Sequence, residues 1–114
     1  MWLKDANNYN SGVAQTWEAA LSGCESFSYA GYSDWRLPNI RELDSIVKCE
    51  GVAPFINTTY FLNTQNDYYW TSTTFVPGTT WALSAGFYDG LVNGLDKTGA
   101  YTGAYYVRPV RAGP

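Results

Sequence analysis

The stretch from residue 88 to residue 105 combines tyrosines and short polar side chains in a Gly-rich segment. Tyrosine offers a flat apolar ring with a polar tip, which suits both a sugar face and a protein surface. Tyr, Gly and Asn are also typical of adaptable binding loops. This composition predicts a ligand-binding surface, with a solvated loop above core tyrosines as the alternative. The candidate ligand-binding residues are Tyr88, Asp89, Asn93, Asp96, Lys97, Tyr101 and Tyr105.

Calcium is the metal that the same stretch would hold. Asp89, Asn93 and Asp96 supply the hard oxygen ligands that Ca²⁺ requires. Their spacing does not match an EF-hand loop, and the chain lacks the Glu-Pro-Asn and Trp-Asn-Asp triplets of calcium-dependent lectins. We therefore expect no metal site and no cofactor, with calcium kept as a minor alternative.

Groups that carry out catalysis are scarce in the sequence. The chain has no histidine, which removes Ser-His-Asp and Cys-His catalysis and most zinc sites. The acids of the second half, Asp67, Asp89 and Asp96, form no motif for two carboxylates that face one cleft. We expect no catalytic residues and a protein that is not an enzyme.

Charge and length narrow the remaining classes. The formal net charge is −3, whereas a nucleic-acid-binding protein typically presents a basic face, so we expect no nucleic-acid partner. No run of eighteen apolar residues occurs, so we expect no insertion into a membrane. The 114 residues are 46% hydrophobic, which is enough for one domain with its own core over residues 1–114.

Two helices are predicted in the first half of the chain. Apolar residues within 13–24 recur on one helical face, and Ser11 is the candidate N-cap. Asn39 is followed three residues later by Glu42, which is the spacing of a capping box. An apolar stripe runs from Ile40 to Val47 and predicts the second helix.

The second half favours β-structure. Residues 68–74 and 81–88 are rich in aromatic residues or alternate in polarity, which predicts two strands. A return strand begins at residues 91–92, and 93–103 is predicted to be an irregular loop. Residues 105–111 are predicted to form a last strand. Helices that precede strands in this way predict an α+β fold with helices on an antiparallel sheet.

Alternation along the second strand divides its residues between a buried and an exposed face. Trp81 and Phe87 are predicted to face the core together with Trp70 of the preceding strand. Ala82 and Ser84 are predicted to lie on the opposite face. These aromatic residues are therefore assigned to packing rather than to a binding site.

Two pairings stay open at the level of sequence. Cys24 and Cys49 can form a disulfide in an oxidising compartment or remain two buried thiols. Arg36 can pair bidentately with either Asp34 or Glu42. Both arrangements would serve the architecture of the domain rather than a binding site.

Three stretches of the chain resemble the hallmarks of a bacterial surface-domain family. They are Asp-Trp-Arg-Leu-Pro-Asn-Ile-Arg-Glu-Leu at 34–43, Tyr-Tyr-Trp-Thr-Ser-Thr-Thr at 68–74 and Tyr-Tyr-Val-Arg-Pro-Val-Arg at 105–111. The matches follow the family's order and cover nearly the whole chain. By this resemblance the chain is identified as a member of the Lcl C-terminal domain family, which is named for a collagen-like adhesin.

The resemblance implies a C-type-lectin-like fold, in which two helices pack on a twisted antiparallel sheet. It also implies an extracellular or cell-surface setting in an exported protein or a phage particle, with residues 1–114 cut from a longer chain. The named adhesin domain is understood to trimerise and to bind sulfated glycans. The low number of cations here disfavours a polysulfate. The absence of a signal peptide at the start leaves an intracellular protein as the least favoured hypothesis.

These observations together predict a non-enzymatic adhesion module. Its partner would be a glycan or a surface protein, bound through the Tyr/Asn/Gly-rich face at 88–105. The alternative is a structural subunit of a surface filament or phage fibre that forms a homo-oligomer, a trimer or a fibre, through that face. Replacing Tyr88, Tyr101 and Tyr105 with Ala is expected to abolish binding and leave the thermal transition nearly unchanged.

Overall fold

The computed structural model describes residues 1–48, 54–74, 81–87, 89–97 and 104–111. Two helices precede a three-stranded antiparallel sheet, which confirms the α+β prediction. Among these residues no helix is long and apolar enough to cross a bilayer. The elements are α1 (Trp17–Glu25), α2 (Ile40–Asp44), β1 (Tyr68–Thr74), β2 (Trp81–Gly86) and β3 (Val92–Asp96).

The first helix begins at Trp17, later than the sequence predicts. Ser11 does not cap it, because that residue lies inside a short 3₁₀ turn with a φ of 52°. The chain then runs extended so that Gln15 can pair with Tyr105, and the two residues exchange backbone hydrogen bonds of 2.7 and 2.9 Å. Thr16 is the N-cap residue of α1. Pairing with a remote segment therefore overrides the helical pattern at residues 13–15.

The second helix begins as the sequence predicts. The Asn39 side chain accepts a 2.9 Å hydrogen bond from the Glu42 N–H, and the Glu42 carboxylate accepts one of 3.0 Å from the Asn39 N–H. This capping box satisfies two backbone donors at the helix start. The helix ends at Asp44, but Ile46 and Val47 still pack against the core as the apolar stripe predicts.

The sheet has the order β1-β2-β3, and all its pairs are antiparallel. Residues 93–96 belong to β3, so the prediction of an irregular loop there is wrong. Asn93 lies opposite Ser84, whose hydroxyl donates a 3.0 Å hydrogen bond to the Asn93 carbonyl. Cross-strand pairing thus overrides the low strand preference of Asn and Gly. Residues 105–111 form isolated bridges rather than a continuous strand.

Both faces of the sheet are covered. Ala20 and Cys24 of α1 share one buried cluster with Trp70, while Leu43 of α2 shares another with Phe87. Trp70 and Phe87 are fully buried, as predicted, but Trp81 is only half-buried.

The prediction that Ala82 and Ser84 lie on an exposed face is wrong, because both residues are fully buried. Alternation marks one buried face, but it does not reveal that the other face is covered as well.

Of the two open pairings, the structure resolves that of Arg36. Arg36 pairs with Glu42 through N–O distances of 2.6 and 2.7 Å, whereas Asp34 pairs with Arg111. Cys24 is a free, buried thiol, and its burial raises its pKa to about 12. A thiol with so high a pKa is unreactive at neutral pH. Cys49 lies outside the described residues.

Candidate functional site

Three of the predicted ligand-binding residues surround one side chain that the sequence analysis did not select, Tyr68. The Asn93 amide donates a 3.2 Å hydrogen bond to the Tyr68 hydroxyl, which donates in turn to Asp89 Oδ2 at 3.4 Å. The Tyr105 ring meets the Tyr68 ring edge to face, with centroids 5.7 Å apart. We call Tyr68, Asp89, Asn93 and Tyr105 the Tyr68 cluster. All four residues are half-buried.

A tight turn between β2 and β3 positions Asp89. The Gly90 N–H donates to the Gly86 carbonyl at 2.8 Å, and the Gly86 N–H donates to the Leu91 carbonyl at 2.9 Å. Asp89 Oδ1 accepts a 3.0 Å hydrogen bond from the Leu91 N–H, so its carboxylate is fixed within the turn. The backbone at Gly90 has a φ of 73°, which glycine adopts without steric cost.

Gly86 makes the close approach of Asp89 and Tyr68 feasible. A Cβ atom at this position would lie 2.7 Å from Asp89 Oδ1 and 2.7 Å from Cε1 of Tyr68. Such a contact is shorter than van der Waals packing allows. The glycine is therefore a signal for the cluster that sequence reasoning missed.

Tyr105 belongs to the scaffold as much as to the surface. Its ring packs edge to face on Trp70, with centroids 5.5 Å apart, and its backbone pairs with Gln15. It also packs against the buried cluster around Trp70. Its contribution to a contact surface is therefore limited to the exposed part of a half-buried ring.

Asp96 and Lys97 lie away from the Tyr68 cluster, at the opposite end of β3, where Asp96 is the last residue of the strand and Lys97 follows it. Asp96 is only 5% exposed and lies opposite Trp81 in the sheet. Lys97 Nζ donates a 3.0 Å hydrogen bond to Thr74 and lies 4.3 Å from the centroid of the Trp17 ring. The ammonium group is thus held by a cation–π contact at a separate place on the surface.

The calcium ligands considered above do not share one position. Asn93 and Asp96 are three residues apart on a strand, which separates them by about 10 Å and points their side chains to opposite faces. Calcium ligands must all lie within about 2.6 Å of the ion. The described residues contain no group of three or more acids, cysteines or histidines placed to hold a metal.

Tyr88 and Tyr101 lie outside the described residues. Of the seven predicted residues, the structure therefore brings together Asp89, Asn93 and Tyr105 and separates Asp96 and Lys97 from them. That any of these residues binds a ligand stays a prediction. Beside the cluster, Leu91 and Val92 are exposed by 58% and 43% and add an apolar rim.

Sequence reasoning also missed a second tyrosine-bearing surface, the turn at residues 28–33. Tyr29 and Tyr32 are exposed by 40% and 38% there. The Ser-Tyr-Ala-Gly-Tyr-Ser segment has the Tyr, Ser and Gly content of a binding loop. The segment lies in the first half of the chain, between the two predicted helices, where no strand was expected, and this concealed the signal.

A protein-family model matches the chain, whereas no curated protein does. The model of the Lcl C-terminal domain matches residues 1–111, which include both helices, the whole sheet and the Tyr68 cluster. The resemblance inferred from residues 34–43, 68–74 and 105–111 is thereby confirmed, and the chain belongs to the Lcl C-terminal domain family.

Proposed function

We propose that this domain is a non-enzymatic adhesion module that binds a glycan through the Tyr68 cluster. The observation that carries the proposal is the convergence of the Asp89 carboxylate and the Asn93 amide on the Tyr68 hydroxyl. Together these groups offer both donors and acceptors, which is what the hydroxyl groups of a sugar require. The half-buried rings beside them offer apolar area.

The cluster is already ordered before any ligand arrives. Asp89 is fixed by the Leu91 N–H, and Asn93 is fixed by its position opposite Ser84 in the sheet. Side chains that are already immobilised lose little conformational entropy when a ligand binds. This rigidity supports recognition of a defined partner by a small surface.

We also propose that the fold is C-type-lectin-like and that the domain acts outside the cell or on its surface. Two helices that cover opposite faces of an antiparallel sheet support the fold proposal. Hydrogen bonds between the first and last described segments, such as that from Leu3 N–H to the Pro109 carbonyl at 3.0 Å, support it further. First and last segments that lie together allow a domain to be carried within a longer protein.

Binding to a glycan array and to cell surfaces tests the function. The double variant Asp89→Ala/Asn93→Ala is expected to weaken glycan binding by at least ~10-fold, which corresponds to about 1.4 kcal/mol. Asp44→Ala is the matched control, because this exposed acid lies at the end of α2. Calcium and a chelator are expected to make no difference. Glycan binding that the double variant retains in full would refute the site, and binding to a protein alone would refute the ligand class.

The second candidate function is that of a structural subunit in a filament or phage fibre. Two exposed apolar residues, Leu91 and Val92, favour it. Val92 is the first residue of β3 and Leu91 precedes it, and β3 is an edge strand of the three-stranded sheet. Exposed apolar residues on an edge strand favour pairing with another chain. Light scattering is expected to show trimers or fibres that Leu91→Ser/Val92→Thr dissociates. A monomer at all concentrations would refute this candidate.

A further inference from the structure

The turn at residues 28–33 holds two tyrosines side by side. Tyr29 and Tyr32 exchange backbone hydrogen bonds of 2.9 and 3.0 Å, and the residues between them, Ala30 and Gly31, have φ values of 55° and 83°. Positive φ at both central positions defines a type I′ turn. Residues that pair directly across such a turn project from the same face. We call this element the Tyr29–Tyr32 hairpin.

The Tyr29 ring is held by its neighbours and remains partly exposed. Its plane stacks on Phe27 with a 5.9 Å centroid separation and an interplanar angle of 6°. Its hydroxyl accepts a 2.9 Å hydrogen bond from the Asn8 amide, and its carbonyl accepts one of 3.3 Å from the Trp35 indole. Since the residue is 40% exposed, part of its surface is available to a ligand.

The Tyr32 ring is held by a cation that is itself neutralised. The Arg111 guanidinium carbon lies 3.7 Å from the ring centroid, and its nitrogens contact the Asp34 carboxylate at 2.6 and 3.1 Å. This arrangement raises the pKa of Arg111 and lowers that of Asp34, chiefly through the hydrogen bonds between them. The ring is thus fixed without a net charge beside it.

The hairpin borders an open concavity of about 340 Å³, lined by Ser28, Tyr29, Ala30, Gly31, Tyr32 and Ser33. That volume is at the lower end of the range for small-ligand sites, about 300–1,000 Å³. Two tyrosines and two serines are among the residues that line it. A ligand that fits must therefore have an apolar face and a polar edge.

We infer that the Tyr29–Tyr32 hairpin binds a neutral pyranose unit, independently of the Tyr68 cluster. A pyranose ring has an apolar C–H face that can lie on a tyrosine ring and hydroxyl groups that can pair with Ser28 and Ser33. A cationic ligand is disfavoured because the Arg111 guanidinium already lies on Tyr32. An anion gains little because Asp34 neutralises that guanidinium.

The Trp35 indole N–H reports on this site through its hydrogen bond to the Tyr29 carbonyl. Its nuclear magnetic resonance signal is assigned with Trp35→Phe and then followed while methyl glycosides of glucose, galactose, mannose and N-acetylglucosamine are added. At least one neutral glycoside is expected to shift the signal saturably, with a dissociation constant on the order of 1 mM. Glucuronate and glucosamine are expected to bind more weakly.

Variants separate stacking from other contacts. Tyr32→Ala and Tyr29→Ala are each expected to weaken the titration by at least ~10-fold, whereas Tyr32→Phe retains it because the ring and its contact with Arg111 remain. Tyr32→Ala carries the test if Tyr29→Ala lowers the thermal midpoint, since Tyr29 packs on Phe27 and Trp35. Asp89→Ala/Asn93→Ala is expected to leave this titration unchanged.

Three results would overturn the inference. They are the absence of a saturable shift with every neutral glycoside, a shift that persists in Tyr32→Ala, and a shift produced by raising the protein concentration without sugar. The last would identify a second copy of the chain as the occupant. Loss of glycan-array binding in Tyr32→Ala but not in Asp89→Ala/Asn93→Ala would uphold the hairpin and refute the Tyr68 cluster.

Discussion

Two arginines that lie three residues apart belong to regions with opposite character. Arg108 is fully buried and donates hydrogen bonds to the carbonyls of Leu3, Lys4 and Leu62 and to the Thr64 hydroxyl, at 2.7 to 3.0 Å. In the part of the chain that the structure describes, its Nε has no partner.

Arg111 lies at the surface, where it pairs with Asp34 and covers Tyr32. Both side chains connect the C-terminal segment to remote parts of the chain.

The difference shows what each region can contribute. Burial lowers the pKa of Arg108 because the charged form loses its hydration, so backbone carbonyls must replace the water around it. Removing the Arg108 guanidinium is therefore expected to lower the stability of the fold. The Arg111 side chain is 10% exposed and its partner Asp34 is 55% exposed, so water still reaches this ion pair, and such a pair stabilises a fold only slightly. Its effect is to hold the Tyr32 ring in place, at the surface for which we propose binding.

The largest expected effect is that of Arg108→Met. The variant leaves four acceptors without their donor in the interior and is expected to lower the free energy of unfolding by about 3–5 kcal/mol. Arg108→Lys is the matched control. It keeps the charge but lacks the planar fork, so a smaller loss is expected. Urea unfolding measures both. Equal stability of Arg108→Met and wild type would show that the interior network is dispensable.

Tyr105→Ala is expected to have the next largest effect. Its ring packs on Tyr68 and Trp70, so truncation should cost about 3 kcal/mol, whereas Tyr32→Ala should cost less than about 1 kcal/mol. The structure thus revises the expectation of an unchanged thermal transition for Tyr105. Calorimetry measures both variants. A stability loss in Tyr32→Ala as large as that in Tyr105→Ala would erase the distinction between core and surface tyrosines.

Gly23 of α1 and Gly31 of the Tyr29–Tyr32 hairpin are expected to respond differently to the addition of a side chain. A Cβ on Gly23 would collide with the Tyr9 hydroxyl, whereas one on Gly31 would meet nothing within 4 Å. Gly23→Ala is expected to cost about 1–3 kcal/mol through overpacking, and Gly31→Ala about 1 kcal/mol through its positive φ.

Tyr9→Phe distinguishes these causes. It should restore part of the stability of Gly23→Ala and none of that of Gly31→Ala. Thermal unfolding of the two double variants measures this, and equal rescue in both would contradict the assignment.

Local signals in the sequence identified the elements that depend on local chemistry. The Asn39–Glu42 capping box and the burial of Trp70 follow from neighbouring residues and from apolar content. The start of α1 and the β3 strand do not, because pairing of Gln15 with Tyr105 and of Ser84 with Asn93 decides them. The first contact joins residues far apart in the chain and the second crosses a turn, and neither leaves a periodic pattern.

The candidate site was predictable only in part for the same reason. Asp89 and Asn93 stood out by residue type, but their convergence depends on Tyr68, from a strand that was assigned to packing. Asp96 was selected with them although strand alternation turns it inward, where it is 5% exposed. Residue composition therefore indicated the region, whereas the sheet register determined which side chains meet.

The smallest expected effect concerns acid. Hydrogen bonds with Arg111 and Arg36 lower the pKa values of Asp34 and Glu42. A carboxyl group whose pKa is lower in the folded state adds stability above its ordinary pKa, and this stability is lost as the pH falls, here between about pH 5 and pH 3. Asp34→Asn and Glu42→Gln should therefore each flatten the acid dependence of the unfolding free energy, for Glu42 by less than about 1 kcal/mol.

Arg108 gives the contrast in that experiment. Its hydrogen-bond acceptors are carbonyl and hydroxyl oxygens, which acid does not protonate, so the interior contacts persist while the surface pairs weaken. Urea unfolding from pH 7 to pH 3 should accordingly give similar acid slopes for wild type and Arg108→Lys, and shallower slopes for the two carboxyl variants. If Arg108→Lys flattened the acid slope and the two carboxyl variants did not, a buried carboxylate, and not the surface pairs, would govern stability in acid.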